Sequence, residues 1–68
     1  MKYQPFQQRV VDENSDLDTK ISALTAFLEV PFFNSLPSAE QARLRLQLQH
    51  MTCYSEVLGE RIAAFPEQ

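Results

Sequence analysis

The sequence predicts an all-α protein: an antiparallel two-helix hairpin with a short helical turn in its connection, assembled as a homo-oligomer. Two long proline-free stretches carry apolar residues at alternating spacings of three and four, the pattern of a helix with one buried stripe. Between them lies a connection bounded by Pro31 and Pro37, short enough to force the helices to fold back antiparallel. At 68 residues a chain buries only about 60% of the surface its unfolded form exposes, so copies of the chain are expected to shield one another.

Helix one is expected over about residues 5–29. Pro5 suits a first helical turn, where its missing N–H has no helical partner. Tyr3, Gln7, Val10, Asn14, Leu17, Ile21, Leu24 and Leu28 define the seam, with five aliphatic residues among them. Gln7 and Asn14 interrupt it, and a buried Asn at such a position commonly sets register or oligomer state. The competing reading is a local break at Asn14-Ser15-Asp16, whose side chains compete for backbone hydrogen bonds. The continuous helix is the preferred expectation.

Val30-Pro31 stops the helix, because the proline ring disfavours helical geometry in the residue before it. The connection spans 30–37, and Phe32, Phe33 and Leu36 are too apolar for a solvated loop, so they are expected to cap the hairpin as core residues. Helix two is expected over about 38–64, with Ser38 as its cap, Gln41 completing a capping box and Glu40 at the positive terminus. Leu44, Leu48, Met51, Ser55, Leu58 and Ile62 form its seam, and Phe65-Pro66 ends it. Leu46, Cys53, Tyr54 and Val57 lie off that seam and make the apolar arc wider than one facing helix covers. Residues 1–68 thus form a single helical-hairpin domain.

Composition narrows the function. Nine acidic against six basic residues give a net charge of −3, and no basic block is present, so long nucleic acid is disfavoured as a ligand. No apolar run reads as a signal peptide or membrane span, which points to a soluble cytoplasmic protein. Cys53 is the single cysteine, so no intrachain disulfide is possible, and His50 has no ligand cluster around it. No metal site, cofactor or catalytic residue is expected. Asp12, Glu13, Asp16 and Asp18 scatter around a helix instead of converging, and are read as a solvated face or as intersubunit pairs. His50 and Cys53 can face each other, but no orienting group or oxyanion site accompanies them; a small buried thiol beside a partly exposed imidazole is the expectation. The chain is not read as an enzyme.

Arg9, Thr19, Lys20 and Arg61 are more informative. Surface ion pairs, such as Lys20 with Asp16, would account for the charges, yet such pairs contribute only a few tenths of a kcal/mol. The functional competitor is phosphate binding: Arg forks two hydrogen bonds onto phosphate oxygens, Lys supplies a point charge, Thr donates a hydroxyl and an aromatic stacks on a base.

The segments FQQRVVDE, SDLDTKISAL, RLRLQLQHM and YSEVLGERI resemble the phage helical-hairpin family of anti-CBASS and anti-Thoeris cyclic-nucleotide sponges. The resemblance runs from about Phe6 to Ile62 and is most specific in RVVDE-x-x-x-LD-x-K and YSEVLGERI. It implies a homo-oligomer, a hexamer, in the host cytoplasm that sequesters cyclic oligonucleotides, either CBASS-type cyclic di- or trinucleotides or Thoeris-type cyclic ADP-ribose signals, without cleaving them. It further implies a cyclic-dinucleotide pocket using Phe6 and Lys20 and a cyclic-trinucleotide pocket using Thr19 and Arg61. If Phe6 stands for a family tyrosine, the phenolic hydrogen bond is lost, and Tyr3 is the substitute. The alternative is a structural or adaptor hairpin that binds a host or phage protein. A DNA-binding regulator is disfavoured by the acidic balance.

Overall fold

A computed structural model describes residues 3–66; the four terminal positions of the expected 1–68 domain lie outside that range. Two helices, α1 (Pro5–Phe27) and α2 (Ser38–Ala63), flank a short 3₁₀ helix, η1 (Pro31–Ser35). No strand is present among the described residues. Tyr54 lies opposite Glu13 and Phe65 opposite Tyr3 and Phe6, so the helices run antiparallel in a rod of 50 × 15 × 14 Å.

The expected seams are the ones that pack. Every seam position named above is buried or half-buried, while the intervening positions of both helices mostly face solvent. Leu58 and Phe33 have 0% and 1% of their surface exposed, and Val10 is buried with them. A two-helix rod has no interior beyond this one line of contact, which is why so few side chains are fully enclosed.

Polar seam residues are satisfied within the chain. Buried Gln7 accepts the Gln4 N–H at 2.8 Å, closing the first turn of α1 in the manner of a capping box. Asn14 and Asp18 both reach Ser55, at 3.2 and 2.6 Å. The Ser55 hydroxyl donates to Asp18 Oδ1 at the shorter distance and is shared with Asn14 Oδ1 at the longer one. Asn14 therefore fixes the register of the hairpin itself. The helix continues through Asn14-Ser15-Asp16 without a break.

Three local expectations are corrected. First, α1 ends at Phe27 instead of about 29. Val30 adopts an extended conformation before Pro31, and the last turn tightens through bonds from Glu29 N–H to Ala26 O and from Val30 N–H to Phe27 O. At the other end of the chain α2 gives way to Ala64, one residue short of the expected limit. Second, Ser38 does not cap α2: Pro37 occupies the cap position with no side-chain bond, and Ser38 is already helical. Gln41 instead reaches back across the connection, donating to Leu36 O at 2.8 Å and to Asn34 O at 3.3 Å. Third, Phe32 is 63% exposed, whereas Phe33 takes the core position beneath α1 and α2. Adjacent residues in a 3₁₀ turn point about 120° apart, so only one of the two rings can face inward.

Because Gln41 and not Ser38 ties down the connection, Gln41→Ala should destabilise the hairpin by about 1 kcal/mol. Ser38→Ala should change stability by less than about 0.5 kcal/mol. Urea unfolding followed by circular dichroism separates the two.

Candidate functional site

Residue spacing decides which side chains share a face. Phe6, Arg9, Glu13 and Lys20 follow one another at intervals of three, four and seven along α1, so they line one flank of that helix. Arg43, His50, Tyr54, Val57 and Arg61 do the same on α2, at intervals of seven, four, three and four. The Tyr54 hydroxyl donates a hydrogen bond to Glu13 Oε2, which joins both flanks into one broad face of the hairpin. Among the described residues this face holds Arg9, Lys20, Arg43 and Arg61, while Arg45 lies elsewhere, 5.0 Å from the ring of Phe33.

Of these four cations, Arg43 alone is in an ion pair among the described residues. The ion pair found among the described residues joins Arg43 to Glu40 at 2.9 Å. Lys20 does not pair with Asp16, and Arg9 and Arg61 form no ion pair within 4 Å among the described residues. Arg9, Lys20, Arg61 and His50 are all exposed.

The register also sorts the sequence-derived candidates. With Tyr54 opposite Glu13 and Phe65 opposite Phe6, Arg61 stands level with the turn of α1 that holds Arg9. Phe6 is 53% exposed and touches Phe65 edge to face at 6.2 Å between centroids; Tyr3 does so at 6.0 Å. Tyr3, Phe6, Arg9 and Arg61 therefore gather in the terminal half of the rod. Lys20 shares their face but lies about 21 Å along the axis from Phe6. Thr19 points away from the seam, and its hydroxyl donates to Ser15 O at 3.1 Å. A single hairpin thus unites neither Phe6 with Lys20 nor Thr19 with Arg61.

The acidic residues diverge as the helix dictates. Asp12 accepts Gln8 Nε2 at 2.9 Å, Glu13 holds Tyr54 on one flank, and Asp18 holds Ser55 nearer the other. No three His, Cys, Asp or Glu side chains converge as a metal site among the described residues. Cys53 was expected as a buried thiol but is exposed, because its position on α2 faces away from the seam. Leu46 and Val57 each keep half of their surface exposed on the same side of α2. No described helix is long and apolar enough to cross a membrane.

Sequence reasoning missed Tyr54 and Glu13 as a pair. The Tyr54 phenol is shifted above its ordinary range, first by its hydrogen bond to Glu13, then by partial desolvation and the carboxylate charge; Arg61 opposes the shift. The phenol thus stays a hydrogen-bond donor throughout the physiological range.

The fold and this outward-facing charge define a small helical-hairpin protein with exposed cations along one face. The chain belongs to the Sequestin family, whose pattern matches residues 4–64. It is also similar to a protein of Enterobacteria phage T4, described as the uncharacterized 7.5 kDa protein in the denB-rIIB intergenic region, with 42% identity over 60 residues, covering 88% of this chain and 94% of that one. No solved structure is significantly similar to it.

Proposed function

We propose that the protein is a phage anti-defence factor that binds and sequesters cyclic oligonucleotide second messengers in the host cytoplasm, without cleaving them. The observation that carries this reading is the face on which Arg9, Lys20 and Arg61 stand exposed and, among the described residues, without ion pairs, beside the exposed rings of Phe6 and Tyr54. Cations without partners attract phosphates, and exposed rings stack on bases. Membership of the Sequestin family and the similarity to a phage protein are consistent with sequestration.

The hairpin alone encloses no ligand-sized volume among the described residues, which supports a reading with pockets between hairpins of a homo-oligomer. There Phe6 of one copy approaches Lys20 of another, and Thr19 approaches Arg61, contacts that the separations within one hairpin forbid. The exposed Leu46 and Val57 on α2 supply apolar surface for such packing. Sequestration requires affinity and slow release but no transition-state stabilisation, so the side chains need only bind.

Titration calorimetry with a panel of cyclic di- and trinucleotides tests the proposal. Micromolar or tighter binding is expected, with the ligand recovered intact. Lys20→Ala should weaken cyclic dinucleotides at least tenfold and Arg61→Ala cyclic trinucleotides by a similar factor, the scale of a lost charge-assisted hydrogen bond. Absence of heat for every ligand at micromolar concentration would remove the proposal. The adaptor alternative would be favoured by co-purification of a host or phage protein with no nucleotide present; exposed Phe32 and Val30 at the connection end offer it a contact point.

A further inference from the structure

Glu13 sits in an unexpected place for a carboxylate. It lies on the face that carries Arg9, Lys20 and Arg61, one helical turn from Arg9, yet forms an ion pair with none of them. Its bound partner is the neutral Tyr54 hydroxyl from the opposite helix, which fixes the position of Oε2 and leaves Oε1 without a hydrogen-bond partner among the described residues. A carboxylate beside phosphate-binding cations opposes an anionic ligand, unless that ligand brings hydrogen-bond donors to it. Nucleobases carry such donors, and guanine presents two in parallel, its ring amide N–H and its exocyclic amino group. These match the two oxygens of a fixed carboxylate in the same way that a guanidinium does.

We infer that the Glu13–Tyr54 pair is a base-reading element, selecting cyclic nucleotides with a guanine-type donor edge while Arg9, one helical turn away, holds the phosphates. This deepens the sequestration reading and rests on it. The division of labour follows from chemistry: phosphate contacts position a nucleotide without reporting its base, whereas contacts to the base edge distinguish one base from another. Tyr54 acts as a positioning residue for the carboxylate, and its ring faces solvent on the same side as Phe6.

The test compares cyclic di-GMP with cyclic di-IMP, which lacks only the exocyclic amino group, by calorimetry on the full chain. Wild type should bind the guanine ligand roughly tenfold or more tightly than the hypoxanthine ligand, the cost of one lost hydrogen bond to a charged group. Glu13→Gln should bring that ratio close to one, and Tyr54→Phe should reduce it. Arg9→Ala should weaken both ligands together and preserve the ratio. Circular dichroism confirms that each variant remains helical. A ratio unaltered by Glu13→Gln, or an equal tightening of both ligands by that variant, would overturn the base-reading role while leaving sequestration intact. Failure of both ligands to bind wild type, with other cyclic nucleotides bound, would also overturn it; failure of every cyclic nucleotide would remove the sequestration reading as well.

Discussion

Leu58→Ala is expected to unfold most of the protein at room temperature. Leu58 is the most completely enclosed side chain of the hairpin, and truncating a buried Leu costs about 2–5 kcal/mol through lost transfer energy and the cavity left behind. Small domains have total stabilities of about 5 kcal/mol or less to draw on, and a rod with one seam has little means of collapsing around the void. Phe33→Ala should cost about 3–5 kcal/mol for the same reason, and it also removes the ring that Arg45 covers and that Phe27 meets edge to face at 6.0 Å. Phe32→Ala, one residue away, is expected to change stability by less than about 1 kcal/mol because that ring is largely exposed. Thermal melts by circular dichroism at matched concentration check all three. Equal losses for Phe32 and Phe33 would contradict the packing described.

The second large effect concerns the outside of α2. Leu46→Glu combined with Val57→Glu should leave the helical content of the hairpin unchanged while dissociating the proposed homo-oligomer. Both side chains lie off the seam positions of α2 with half of their surface exposed, so folding within one chain depends on them little. Two like charges placed in an apolar contact between copies would each lose hydration without gaining a partner, which costs several kcal/mol in all. Sedimentation velocity of the double variant against wild type reads the change in mass. A wild-type assembly that survives both substitutions would show that another face holds the copies together.

How far the sequence exposed this structure depends on the range of the interaction. The seams were legible because they need only one rule, a three-four repeat, and each named position from Gln7 to Leu28 and from Leu44 to Ile62 turns inward. The 3₁₀ turn after Pro31 was legible for a similar reason, since proline fixes its own dihedral and restricts the residue before it. The cap of α2 was misread. Ser38 and Gln41 fit a capping box as a local pattern, but Pro37 moves the cap back by one residue and frees Gln41 to bond the connection. Which of two neighbouring phenylalanines enters the core depends on the phase of the turn, which composition does not carry.

The site was legible as residue types and not as an arrangement. Arg9, Lys20, Arg61 and Phe6 do share one face, as their spacing allows. Thr19 does not, and its hydroxyl serves the backbone of its own helix. Glu13 and Tyr54 are 41 residues apart, and their meeting depends on the register between the helices. That register is set by the length of the connection and by the contacts of Asn14, Asp18 and Ser55, so no local motif announces it.

The central claim is that a hairpin too thin to hold a ligand alone captures cyclic nucleotides between copies. Native mass spectrometry of the intact protein mixed with a cyclic dinucleotide tests it most directly. The expected result is a mass of two or more 7.8 kDa chains carrying the nucleotide unhydrolysed. A folded single chain that remains free of nucleotide at saturating ligand would contradict it.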